Sequence, residues 1–95
     1  MSKTKEYRSK VRIYADIMSS IMKHGGKCSP TRILYGANLS HGRLMRHLTQ
    51  LINLGLIAEE KEDEKTLYKL TDKGREFLKE FIKMQRFAEA FGITI

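Results

Sequence analysis

Arg43, Arg46, Thr49, Gln50 and Asn53 recur at spacings of three and four within residues 40–54. On a helix, that spacing gathers side chains toward one face. Arginine, asparagine and glutamine pair with base edges in the major groove of a duplex, and the groove is wide enough to admit a helix. Leu44, Leu48 and Leu51 fall on the opposite side of the same wheel, so the polar face should point outward. Gly42 lies on this outer face and has no side chain, so the start of the helix can come close to a duplex. Ser40 and His41 stand at the helix N-terminus, where backbone N–H groups suit a phosphate. Residues 30–58 contain no acid at all, whereas a merely solvated helix face ordinarily mixes acids with bases.

Further bases surround that face. Arg32 and Lys27 lie near the start of a preceding helix, where phosphate contacts position a protein without reading sequence. Lys3, Lys5, Arg8, Lys10 and Arg12 make a basic N-terminal arm. The arm can follow phosphates, enter a minor groove, or simply be a solvated tail. The whole chain carries 18 Lys and Arg against 11 Asp and Glu, a net charge of +7. Its isoelectric point near 9.7 lies in the range of nucleic-acid binders. The charge is uneven. Residues 1–58 hold ten bases against Glu6 and Asp16, and residues 59–95 hold eight bases against nine acids. A polyanion would therefore meet the first two thirds of the chain.

The elements that must position these residues follow from periodicity and punctuation. Ile13, Ile17 and Ile21, with Tyr14 and Met18, mark one apolar face of a first helix from about Tyr7 to His24. Gly25 and Gly26 end it. Ser29 and Pro30 open a short second helix to Tyr35 or Gly36, with Ile33 and Leu34 inward. Ala37, Asn38 and Leu39 form a turn, Ser40 caps the third helix, and Gly55 closes it. Leu56 and Ile57, then Tyr68 and Leu70 around Lys69, predict a hairpin of two short strands. The charged stretch from Glu59 to Lys65 reads as its solvated tip. Thr71 or Asp72 caps a fourth helix to about Phe91, closed by Gly92. A short helix, a tight turn and an amphipathic helix make a helix-turn-helix, and the hairpin makes it winged. The expected class is mainly α, within α+β.

In the last helix, Phe77, Phe81, Met84, Ala88 and Phe91 are spaced as a heptad seam, with Phe87 beside it. Leu78 and Ile82 add an adjacent stripe. Two stripes exceed what a small outer helix buries alone, so self-association is favoured over packing against the first helix. The expected division is a basic arm over 1–10, a winged-helix domain over 11–74 and a dimerisation helix over 75–95.

Residues 31–40, TRILYGANLS, with LINLGLI at 51–57 and YKLTDKG at 68–74, resemble a small archaeal winged-helix family. Its members are basic ten-kilodalton chromatin-associated proteins, and related archaeal transcription regulators look similar. The resemblance covers about residues 8–85. It implies binding of double-stranded DNA with modest sequence preference, and a homodimer joined through antiparallel C-terminal helices. The hairpin departs from the family, since Glu59, Glu60, Glu62, Asp63 and Glu64 outnumber Lys61 and Lys65. The C-terminal helix is also shorter.

Other classes find little support. His24 and Cys28 are four apart, but no second cysteine or close ligand pair completes a zinc pattern, so no metal is expected. No glycine-rich phosphate loop or nucleophile motif is present, so no enzyme and no cofactor are expected. The lone Cys28 reads as a small buried hydrophobe in a reducing compartment. No apolar run approaches a membrane span, and the basic N-terminus lacks the apolar core of a signal peptide. A cytoplasmic, nucleoid-associated protein is expected. The competing reading is an interaction adaptor in a transcription or replication complex, docking through the hairpin acids. RNA binding stands third, because no aromatic stacking platform is evident.

Overall fold

Each helix begins on a hydroxyl side chain that accepts a hydrogen bond from a backbone N–H three residues on, satisfying one of the donors a helix start leaves open. Ser9 does this for α1 (Lys10–Lys23), Ser29 for α2 (Pro30–Ala37), Ser40 for α3 (His41–Asn53) and Thr71 for α4 (Asp72–Ala90). The computed structural model describes residues 8–95. Its sheet is antiparallel, with strands β1 (Lys27–Cys28), β2 (Ile57–Glu62) and β3 (Lys65–Leu70) in the order β1-β3-β2. The sequence order of helix, helix, turn, helix, hairpin, helix is thus that of a winged helix-turn-helix.

Three differences from the sequence expectation have local causes. α2 runs one residue further, through Ala37, whose side chain is buried; Asn38 alone takes the left-handed conformation, at φ 56°, and ends the helix. β1 was not expected. Gly25 and Gly26, at φ 83° and 91°, reverse the chain after α1 and lay Lys27 and Cys28 against Lys69 and Tyr68 of β3. The acidic stretch is strand rather than loop. Glu59 to Glu62 pair with Tyr68 to Lys65, and only Asp63 and Glu64 turn, both at positive φ.

The core is continuous from the first helix to the last. Ile13, Ile17, Met18 and Ile21 of α1 meet Ile33 of α2, Leu44, Leu48 and Leu51 of α3, Ile57 and Tyr68 of the sheet, and Leu78 and Phe81 of α4. Phe81 and Phe77 therefore require a correction. Both were expected among the dimerisation residues, with the stripe near Phe77 and Leu78 able to cover the chain's own core; Phe81 is buried in that core and Phe77 packs against it. There α4 packs against α1, so the seam spacing is met by the chain's own first helix. Beyond Phe81 most of the large apolar side chains are exposed. Met84, Phe87 and Phe91 are 45%, 68% and 69% exposed, and the last two rings stand 5.2 Å apart. Ala88, expected on the dimerisation seam, is instead buried within the chain, where the chain folds back and Ile93 N–H donates to its carbonyl.

Candidate nucleic-acid interface

α3 is held from one side only. Leu44, Leu48 and Leu51 are fully buried, while His41, Gly42, Arg43, Arg46, Thr49 and Asn53 are exposed. Ser40 is exposed at the cap and takes the Arg43 N–H on its hydroxyl. A side chain added at Gly42 would meet nothing within 4 Å. Among the described residues neither Arg43 nor Arg46 makes an ion pair. The sequence-predicted face is therefore present as a convex, cationic surface without a protein partner among those residues.

Gln50 differs from its neighbours. It is half-buried, and its amide oxygen accepts from the Tyr14 hydroxyl of α1 at 2.5 Å. The His47 Nδ1 lies 3.4 Å from the same oxygen. The imidazole is buried and stands edge-on to the Tyr14 ring, with centroids 5.8 Å apart. Burial, then the nearby Arg46, Arg43 and Lys10 charges, pushes the His47 pKa below the ordinary imidazole value, against the Gln50 hydrogen bond. Thr49 is also committed, since its hydroxyl donates to the Met45 carbonyl. That leaves the exposed Thr49 oxygen as an acceptor.

Around α3 the expected phosphate contacts separate. Arg32 is exposed on the first turn of α2 and has no ion-pair partner among the described residues. Lys27 is engaged instead. Its ammonium lies against Glu62 and is 3.6 Å from Glu60, and the Glu62 hydrogen bond raises its pKa despite opposing desolvation. Lys69 adds a 3.5 Å contact to Glu60. The hairpin acids are thus partly neutralised by bases of the same sheet. Arg8 is turned inward too. Its guanidinium donates to Asp16 at 2.7 Å and to the carbonyls of Ala37 and Asn38, clamping the α2–α3 turn to α1. Lys3 and Lys5 lie outside the described residues.

Two features had no sequence signal strong enough to select them. Tyr35, one turn after Arg32, is 77% exposed on α2. A hollow of about 430 Å³ opens between the start of α2 and β3, with Lys27, Arg32, Lys65 and His24 around it. Lys65 enters this group only because β1 draws β3 beneath α2, and β1 was not foreseen. Cys28, also on the hollow, is buried, and desolvation pushes its thiol up, away from the reactive thiolate. No metal-binding cluster occurs among the described residues.

The sequence pattern of the winged helix-turn-helix family matches residues 7–89. The chain belongs to the winged helix-turn-helix family. Its fold also matches Sso10a-2, a DNA-binding protein from Sulfolobus solfataricus, with a TM-score of 0.74 and 27% identity over 90% of each chain. The winged-helix DNA-binding protein F93 from STIV matches with a TM-score of 0.69 and 18% identity, over 82% of this chain and 90% of that one. A MarR family transcriptional regulator from Silicibacter pomeroyi matches with a TM-score of 0.69 and 23% identity. This winged helix covers 49% of that regulator, so there the likeness is one of fold alone. No curated protein matches in sequence. The resemblance of residues 31–40 to an archaeal winged-helix family accords with the Sulfolobus and STIV likenesses. Among the described residues, no helix is long and apolar enough to cross a membrane.

Proposed function

We propose that the chain binds double-stranded DNA as a homodimer, laying the outer face of α3 in the major groove, in transcription control or chromatin organisation. The observation that carries this reading is the exposed, acid-free surface of α3 bearing Arg43 and Arg46. Gly42 lets its first turn approach the duplex, and Arg32 at the start of α2 supplies a backbone contact. Lys27 joins it only if Glu60 and Glu62 let go. Sso10a-2, similar over 90% of both chains, is a DNA-binding protein, which favours the same role here. The role is one of binding rather than catalysis, in the cytoplasm.

Dimerisation rests on the outer half of α4. Met84, Phe87 and Phe91 leave an apolar surface that small soluble monomers rarely expose. A two-fold partner would cover it with the same residues and place two α3 helices on one side. Residues 11–74 then act as the reading module and 75–95 as the joint, although Phe77 and Phe81 anchor that joint to the module.

The test is duplex binding by the Arg43→Ala, Arg46→Ala double variant, followed by fluorescence anisotropy. Both side chains are outside the core, so the variant should melt as the wild type does. Losing one base contact costs about 1–3 kcal/mol of discrimination. Equal affinity with folding intact moves the binding surface away from α3.

A further inference from the structure

The contact between Tyr14, His47 and Gln50 has a consequence for which base the helix can read. A free glutamine reads adenine by using both ends of its amide, accepting from N6 and donating to N7. Here the accepting end is occupied. Tyr14 is buried, and its hydroxyl needs an acceptor; among the described residues the one it meets is Gln50 Oε1, at 2.5 Å. His47 Nδ1 lies 3.4 Å from the same oxygen, and its Nδ1–H tautomer donates to it. Tyr14 takes one of the two lone pairs of the amide oxygen, and the Nδ1–H tautomer of His47 takes the other. The amide nitrogen, with two N–H donors and no acceptor, is the end left for a ligand.

We infer that Gln50 is a donor-only reader, set by Tyr14 and His47, and that it selects guanine over adenine in the groove facing the end of α3. Guanine presents two adjacent acceptors, O6 and N7, which match two N–H donors. Adenine presents N7 beside its own N6 donor, which opposes the fixed amide. Cytosine offers only a donor. Tyr14 and His47 touch no base and act as positioning residues. Tyr14 does so from α1, a helix otherwise concerned with the core, so that the fold itself dictates the polarity of one reading position. This inference rests on the proposed docking of α3 in the major groove.

Selection from randomised duplexes at one fixed salt concentration, repeated with variants, tests it. The wild type should enrich guanine over adenine about fivefold to tenfold at one position per half-site. Gln50→Ala should abolish that preference. Tyr14→Phe removes only the hydroxyl that holds the amide, so the guanine to adenine ratio should fall toward one. A mainly structural Tyr14 would lower the melting temperature without changing base choice. Should Tyr14→Phe not fold, Gln50→Glu keeps the acceptor toward Tyr14 and turns the outward donor into an acceptor. Its preference should move from guanine to cytosine. Adenine or cytosine selected by the wild type, or no position that depends on residue 50, overturns the inference. So does base choice that a folded Tyr14→Phe or, failing that, Gln50→Glu leaves unchanged. Salt-dependent DNA binding with no effect of residue 50 sinks this inference alone. A wild type that binds no duplex sinks the docking of α3 as well.

Discussion

Gly42→Ala should move stability and DNA affinity in opposite directions. Gly42 is the second residue of α3, it is exposed, and a methyl placed on it meets nothing within 4 Å. Within the free protein the substitution therefore meets no obstacle. Glycine in a helix is less favourable than alanine by about 0.5–1 kcal/mol, chiefly through backbone entropy. The variant should gain about that much, which raises the melting temperature of a domain of this size by about 2–8 °C. On a duplex the same methyl stands on the face that we place in the groove. Holding the first turn away from the bases should weaken the Arg43 and Arg46 contacts, a loss of about tenfold in affinity, the order of one base contact. Thermal unfolding by circular dichroism gives the first quantity, and anisotropy with a labelled duplex at fixed salt gives the second. A variant that melts higher and binds as tightly as the wild type refutes close approach at this turn. A lower melting temperature refutes the account of the helix start.

Two further outcomes follow from the ion pairs and from α4. Glu62→Gln removes one acid from the hairpin and leaves the Lys27 ammonium with Glu60 alone, so duplex affinity should stay level or rise, and titration with a labelled duplex at low salt reads the change; weaker binding would mean that the hairpin acids contact the DNA, for example through cytosine amino groups. Met84→Glu with Phe91→Glu should give a folded monomer with weaker DNA binding, because two linked modules bind more tightly than one. Sedimentation equilibrium should report twice the 11.0 kDa chain mass for the wild type, and a single chain mass at about tens of micromolar would leave α4 without its proposed partner.

Local chemistry made the helices legible. Hydroxyl caps at Ser29 and Ser40, Pro30 at the start of α2 and Gly55 after α3 act within a few residues, and the structure has each in its expected place. Apolar periodicity likewise placed Leu44, Leu48 and Leu51 inward, and hence Arg43 and Arg46 outward. What escaped depends on contacts distant in sequence. β1 is two residues long and exists because β3 pairs with it some forty residues later. Arg8 looked like one more base of the arm until Asp16 and the α2–α3 turn were seen to take its guanidinium. Lys27 and Gln50 were drawn off by Glu62 and Tyr14, partners that a helical wheel does not contain. Phe81 sat on a correct heptad, but the spacing could not tell the chain's own α1 from a second copy of α4.

The central claim is that a cationic face centred on α3 meets the phosphates and bases of duplex DNA. The dependence of duplex affinity on salt tests it most directly, because each phosphate that a base neutralises releases a condensed counterion. Arg32, Arg43 and Arg46 are exposed without ion-pair partners among the described residues, and Lys27 is available once its pairs with Glu60 and Glu62 open. About three to four phosphate contacts per protomer give a slope of log affinity against log salt of about −2.7 to −3.6 per protomer. A slope in that range, made shallower by about two in the Arg43→Ala, Arg46→Ala variant if both arginines also touch phosphates, is the expected result. Duplex affinity that does not change with salt would contradict the account.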